Sequence, residues 1–330
     1  RLVSDFNFII FTSRQSPLLP KYENDGGIEV YRLGLGFKYD KFLFPFLALV
    51  KSLSFKVDLV YGVMASYAGA AALFIKIFRG KPYILNMQSG TLDTPQYLRI
   101  IKFFFPLYKA IHLQAKAIHA IRNFLKKRAE LLGVSFSKIS VIHNGVDLKK
   151  FKFLEGSRRP YRIITVARLV KVKGVEYLIR AVPLIIKKFP EVDFVVIGDG
   201  PQRKFLEELS QKFGVAGCVN FLGRLEHDQL VHWLNSGSIF VCPSLAEGLG
   251  LVVLEAMACG LAVIGTKVGG ILDIIRDKEN GLLIEPRNAE AISQAVALVL
   301  GNNNLRQKLI RGGQIATQQY DWDIIIDQVR

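Results

Sequence analysis

The sequence predicts an α/β protein of two doubly wound halves, each built on a parallel sheet. Three observations carry this expectation. Continuous apolar runs of strand length alternate with segments of helical period along nearly the whole chain. The alternation pauses once, at Asn144-Gly145-Val146-Asp147 and the basic, turn-rich stretch 149–160, and then restarts. The 330 residues suffice for two domains of ordinary size, each with its own core.

Taken in order, the strand-length runs of the first half are 6–11, 28–33, 57–60, 82–85, 117–121 and 139–142, with helical stretches such as 41–53 and 96–112 between them. Those of the second half are 163–166, 194–197, 219–222, 239–242, 262–264 and 282–284, each followed by a helical or looped connection. Pro183 falls inside an otherwise helical run and is expected to kink or shorten that helix. The expected division is a first domain at 1–147, a second at 148–315, and a final segment, 316–330, returning to the first. Ligands of open α/β sheets lie at the carboxyl ends of the strands, so a cleft between two such edges is the expected site.

Composition narrows the function classes. Half of the residues are hydrophobic, 22% are charged and 11% aromatic, which excludes a disordered chain. No apolar run reaches the roughly 18–20 residues that span a bilayer. The longest, 42–50 and 65–78, are broken by Pro45, Lys51, Lys76 and Arg79. Cys218, Cys242 and Cys259 form no C-x-x-C pair and read as buried thiols of a reducing, cytoplasmic compartment. The net charge of +16 is uneven: residues 1–150 hold 22 Lys and Arg against 9 Asp and Glu, the rest 22 against 19. The first half therefore faces something anionic, or simply carries a basic surface. Lys102, Lys109, Lys116, Arg122, Lys126, Lys127 and Arg128 interleave with Phe103–Phe105, Leu107, Tyr108 and Phe124. That pattern suits a peripheral surface on the inner face of an anionic membrane, and equally an amphipathic helix with a Phe core. Nucleic acid is set aside, since no recognised binding motif accompanies the charge.

Two stretches carry chemistry. In residues 243–260 a strand runs through a Gly-bearing loop into a helix. Gly248 and Gly250 let a ligand approach the backbone, and the helix N-terminus offers amides to a phosphate. Glu247 lies in the loop, and Glu255 sits in the helix with its Cβ tilted back toward the same end. Two carboxylates flanking an anion site fit a phosphate lying between two hydroxyl-rich groups, as in a nucleotide sugar. They also fit an ordinary helix N-terminus with two favourable acids. The second stretch, 166–174, follows the first strand of the second half. Arg168 offers a fork and Lys173 a point charge for phosphate oxygens, or both are solvated loop cations.

ARLVKVKG, GDGP at 198–201, FLG at 221–223, EGLGLVVLEAMACG and VGG at 268–270 together resemble the retaining nucleotide-sugar glycosyltransferases of family 4. Their fold is GT-B, two Rossmann-like domains with parallel sheets facing a central cleft. The resemblance covers nearly all of 117–320, its most specific element being the two glutamates with seven residues between them, Glu247 and Glu255, and HNGVD at 143–147 looks like the interdomain junction. It implies that Arg168 and Lys173 hold the diphosphate, that Glu247 contacts the donor hexose and Glu255 the ribose. It implies further that Gly248, Leu249, Gly250 and Leu251 line the phosphates, with amides from Gly250 and Leu251, that Gly198 borders the donor, and that the backbone near Leu222 faces the base. It implies no metal and no cofactor; His227 and His232 lie five apart without a carboxylate or Cys set.

Two departures qualify the match. Family members open with a strand and Gly-rich loop, whereas this sequence reads as entering at the second strand. Members often carry a His after the strand at 82–85, where Gln88 and Ser89 stand here. Gln88, Gly90 and Asp93 are accordingly placed on the acceptor side, or in a plain polar turn. The remaining histidines, His119 and His143, read as packed residues, and Trp233 and Trp322 as core or interdomain anchors. The expected function is transfer of a hexosyl group from a nucleoside diphosphate sugar to a hydroxyl acceptor, lipid-linked or a cell-surface glycan precursor. The rivals are a sugar-nucleotide epimerase of the same fold and an inactive nucleotide-sugar- or lipid-binding relative. A dinucleotide dehydrogenase is excluded, as no strand is followed by G-x-G-x-x-G.

Overall fold

The computed structural model describes residues 6–88, 102–156 and 158–329. The chain divides into two compact units, Arg1–His143 with Gln328–Arg330, and Asn144–Asp327.

The first unit holds two sheets. One has β1 (Ile9–Ser13) parallel to β3 (Ile28–Leu33), with β2 (Tyr22–Asp25) antiparallel on the other side of β3. The second is all parallel, in the order β4 (Val60–Val63), β5 (Tyr83–Met87), β6 (Ala117–Ala120), β7 (Ile139–Val141). The single parallel sheet expected of this half is thus corrected to two, and β2 was not foreseen. Its residues, Tyr-Glu-Asn-Asp, carry no apolar run, and its pairing comes from the Asp25–Ile28 hairpin turn, where Gly26 and Gly27 both adopt positive φ. Helices α1 (Asp40–Ser52) and α2 (Tyr67–Arg79) pack against each other, followed by α3 (Phe105–Leu113) and α4 (Asn123–Leu131). A small-residue face lets α2 approach β4 closely: a Cβ on Gly62 would lie 3.3 Å from the Ala72 Cβ. The run expected as a helix from 96 lies partly outside the described residues, and the described helix begins at Phe105, with a Pro in its first turn.

The second unit carries one six-stranded parallel sheet. Its strands are β8 (Arg162–Val166), β9 (Asp193–Ile197), β10 (Val219–Gly223), β11 (Ile239–Cys242), β12 (Ala262–Thr266) and β13 (Leu282–Ile284), in the spatial order β10-β9-β8-β11-β12-β13. Buried on both faces, the strands read as unbroken apolar runs; Ile163, Phe194, Phe240, Val241 and Ile264 are each at most 1% exposed. Each such side chain contributes about 1.5–3 kcal/mol of burial. Covering helices are α5 (Val175–Ile186), α6 (Arg203–Lys212), α7 (His227–Ser236), α8 (Leu251–Ala258), α9 (Ile271–Ile274), α10 (Ala289–Gly301) and α11 (Asn303–Gln318), and α12 (Trp322–Val329) follows them in the chain. Along α5 the buried Leu178, Ile179, Val182 and Ile185 recur at helical spacing. Pro183 does not cut this helix, which runs through it and ends three residues later, at Ile186. Asn288 and Asn302 cap α10 and α11 through side-chain oxygens that accept from the amides of Ala291 and Leu305.

Candidate active site

The strand order of the second unit locates the site. From β8 the chain winds outward through β9 to β10, then returns across the sheet to β11 and winds the other way through β12 to β13. All neighbours are parallel, so every strand ends on the same edge, and the winding reverses between β8 and β11. Crossover loops on either side of such a switch point diverge and leave a crevice. The two loops flanking it are those of 167–174 and 243–250.

Backbone contacts fix both loops. The Leu245 amide donates to the Val172 carbonyl at 2.8 Å. Gly174 adopts φ +62, and a Cβ there would lie 2.0 Å from the Pro243 carbonyl oxygen, so only glycine lets the loops close on each other. On the other flank, the Ala167 amide donates to Ile197 and the Leu169 amide to Asp199, both at 2.9 Å. Gly198, at φ +122, leaves room for the Ala167 carbonyl, which a Cβ would approach to 2.0 Å.

This arrangement sets Lys173, on a 3-10 turn at Lys171–Lys173, opposite Glu247. Its Nζ donates to Oε1 at 2.9 Å and Oε2 at 2.7 Å. The Ser244 hydroxyl donates to Oε2 at 3.0 Å, and the buried Thr266 hydroxyl in turn donates to the Ser244 carbonyl at 2.5 Å. The lysine and glutamate side chains are 25% and 11% exposed, so the pair is partly desolvated yet reachable. Two of the three ammonium donors face the carboxylate, which leaves a third for an incoming anion. Beneath it, burial, reinforced by the Glu247 charge, pushes the Cys242 thiol up to about 11 and keeps it protonated.

Helix α8 starts at the rim of this crevice. Gly250, at φ +81, caps it in the left-handed region, and no acidic residue occupies its first turn. The space beside the Cα of Gly248, where a side chain would stand, is open. Glu255 lies on the helix with its side chain mostly buried, and burial raises its carboxyl to about 7. Its side chain makes no hydrogen bond or ion pair among the described residues. Leu249 is 4% exposed and supports the turn, while Leu251 is half-buried at the first helical position.

The structure thus joins Lys173 to Glu247 directly and sets Glu255 and the Gly248–Leu251 backbone in the segment that follows. Arg168 shares the loop of Lys173, but its side chain is exposed and pairs with no acid among the described residues. Gly198 follows β9, and its amide donates to the Gly223 carbonyl at 2.7 Å. Leu222 falls out of register with β9, at an irregularity between Phe221 and Gly223. Ser244 and Thr266 were not singled out in the sequence; the only trace is the spacing of three between Ser244 and Glu247. In the first unit, Gln88 follows β5 and is exposed, whereas Gly90 and Asp93 lie outside the described residues. His119 is buried as expected, its Nδ1 3.3 Å from the Tyr61 hydroxyl, which also accepts from Asn86. One expectation needs correction: Cys218 is only half-buried, being in a turn ahead of edge strand β10. Of the two readings of Trp322 the core one is excluded, since the side chain is 37% exposed, with its ring against Gly145. His227 and His232 lie on the surface of α7, and among the described residues no three His, Cys, Asp or Glu gather as for a metal ion.

Residues 147–315 match the family described as Glycosyl transferases group 1, and residues 2–150 match Glycosyltransferase Family 4. An uncharacterized glycosyltransferase of Methanocaldococcus jannaschii is 28% identical across 93% of this chain and 84% of its own length. Other curated relatives are matched over less of their length, 55% for one and 38% for another. Among solved structures, sucrose-phosphate synthase from Thermosynechococcus elongatus superposes with a TM-score of 0.86 at 22% identity, over 99% of this chain and 88% of that one. HepE of Anabaena, in complex with UDP, gives 0.79 at 16% identity over 98% of both chains. At these identities the structures establish the fold, GT-B, with two Rossmann-like units. The chain belongs to the glycosyl transferases group 1 family.

Proposed function

We propose that this glycosyltransferase uses a nucleoside diphosphate sugar as donor and retains the configuration of the transferred hexosyl group. The observation that carries the reading is the pairing of Lys173 with Glu247 at the β8–β11 switch point, beside a helix whose first turn holds no acid. A diphosphate laid across the α8 N-terminus would meet the Gly250 and Leu251 amides and the third donor of Lys173, with the exposed Arg168 free to swing onto it. Glu247 would accept from sugar hydroxyls, and Glu255 from the ribose diol. The base would lie along the irregular end of β10 at Leu222, next to Gly198. The UDP in the HepE complex supports a nucleotide of this kind.

In the proposed reaction the bond between the anomeric carbon and the diphosphate oxygen breaks first, and the departing negative charge is neutralised by Arg168, Lys173 and the helix dipole. The acceptor hydroxyl attacks the same face of the oxocarbenium-like sugar, and its proton passes to a phosphate oxygen of the leaving group. No carboxylate need form a covalent intermediate, in contrast to retaining glycosidases. The acceptor, bound by the first unit around Gln88, Gly90 and Asp93, is lipid-linked or a cell-surface glycan precursor, with the basic first half resting on the inner face of an anionic membrane. No resident metal or cofactor enters this scheme, and the site is assigned to the second domain, 148–315.

The test is a panel of UDP-, GDP- and ADP-sugars screened for protection of the full chain against thermal unfolding, followed by determination of the product anomer by NMR. Protection by one nucleotide class and an anomer matching the donor support the reading. Protection by none, or an inverted product, overturns it. Epimerisation of donor without acceptor would identify the epimerase instead.

A further inference from the structure

The outward face of α1 is apolar throughout. At about 100° per residue, Phe44, Ala48 and Ser52 fall on one side of the helix and are buried. Phe42, Leu43, Phe46, Val50 and, just past the end, Leu53 fall on the opposite side and are 54–64% exposed. A helix at a protein surface ordinarily shows the reverse, with polar residues outward. The face continues onto α2, where the Phe74 ring lies 5.1 Å from that of Phe46, and Ile77 and Phe78 beyond it are 62% and 70% exposed. Continuity across two helices separates this surface from singly scattered apolar residues, and such a patch marks an interaction site.

Charge identifies the occupant. Residues 41–88 carry six Lys and Arg and one acid, Asp58. Lys38 and Lys41 stand at the start of α1 and Lys56 just beyond its end, all outside the apolar stripe, while the Lys51 ammonium turns inward, 4.3 Å from the centre of the Tyr31 ring. The one acid within the helix, Asp40, is 3% exposed, and its carboxylate accepts from the amides of Gly36 at 2.6 Å and Phe37 at 3.0 Å, so its charge does not reach the surface. A second copy meeting this face symmetrically would set the lysines at the ends of one helix against those of the other. An anionic lipid surface instead takes up the apolar side chains and the cations together. The 13 residues of α1 extend about 20 Å, short of the roughly 30 Å hydrocarbon core, so the helix would lie along the interface. Among the described residues no helix is long and apolar enough to cross a membrane.

We infer that the outer face of α1, continued by the end of α2, docks on an anionic lipid bilayer. This inference depends on geometry and charge in the first unit and not on the donor site.

The test is co-sedimentation of the full chain with vesicles of phosphatidylcholine alone and of phosphatidylcholine with phosphatidylglycerol. The expected result is binding to the anionic vesicles only, weakened by salt. It should fall at least tenfold in the variant Phe42→Gln/Phe46→Gln/Val50→Gln, and likewise in Lys38→Glu/Lys56→Glu. The substituted side chains are all exposed, so both variants should keep the wild-type unfolding midpoint; if the triple variant does not, the charge variant decides alone. The inference is overturned if the wild-type chain binds neither vesicle, or if the variants bind as it does, which would point to another surface such as the exposed Phe103–Phe105. It is also overturned if the chain is a dimer without lipid that the triple variant dissociates. Vesicle binding is read without any sugar donor, so its failure leaves the glycosyl-transfer reading standing, and the converse.

Discussion

Replacing Glu255 by Gln removes a carboxyl that burial has raised from 4.5 to about 7. Between these two values the folded chain holds a proton that the unfolded chain has released. The stabilisation is fully present below the unfolded value and is lost as pH rises through about 7, because the buried side chain must then ionise. At about 1.4 kcal/mol per pH unit, the contribution amounts to about 3 kcal/mol. Gln cannot ionise, so the variant escapes this loss. Urea unfolding of both proteins at about pH 5 and about pH 8.5 should show the variant gaining about 3 kcal/mol on the wild type across that interval. A stability difference that is the same at both pH values would refute the buried, proton-holding carboxyl. The same geometry ties ligand to proton. A ribose diol donating to the ionised carboxylate would expel the proton, so nucleotide affinity should rise with pH through about 7 in the wild type and stay flat in the variant.

Other perturbations follow from the same contacts. Lys173→Ala leaves the largely buried Glu247 carboxylate without its cation and should cost about 2 kcal/mol in urea unfolding, part of which Glu247→Gln restores in the double variant. Gly174→Ala drives a Cβ to 2.0 Å from the Pro243 carbonyl at φ +62, and should lower the thermal midpoint by several degrees. Gly248→Ala meets open space and should leave the midpoint unchanged while weakening nucleotide binding in calorimetry. Arg168→Ala, at an exposed position, should likewise leave the midpoint alone but reduce turnover on a nucleotide sugar by at least about tenfold.

The strands of the second unit were legible because burial on both faces forces unbroken apolar runs, and β11 and β13 begin and end where those runs do. The first unit was less so. Strand β2 is polar, its pairing set by a glycine hairpin rather than by hydrophobicity, and β4 lies three residues beyond the run that suggested it. At the site, Glu247 and Lys173 could be named from their motifs, but their direct pairing could not. It depends on the backbone bond from Leu245 to Val172 and on a carbonyl packed against Gly174, long-range contacts with no local signature. Ser244 and Thr266 escaped for the same reason, since a hydroxyl that orients a carboxylate looks like any loop or strand hydroxyl until the fold brings the two together. The outward apolar face of α1 was masked by its helical period, which reads as an ordinary core stripe until the opposite side is seen to be buried as well.

The central claim is that the crevice between the β8 and β11 loops holds the diphosphate of a sugar donor. Its most direct test is titration calorimetry of UDP, GDP and ADP into the full chain, its Lys173→Ala variant and its Glu255→Gln variant. The account predicts that one of the three nucleotides binds the wild type, that Lys173→Ala weakens it at least about tenfold, and that Glu255→Gln removes the pH dependence. Wild-type affinity retained in Lys173→Ala, or no binding of any nucleotide to the wild type, would contradict it.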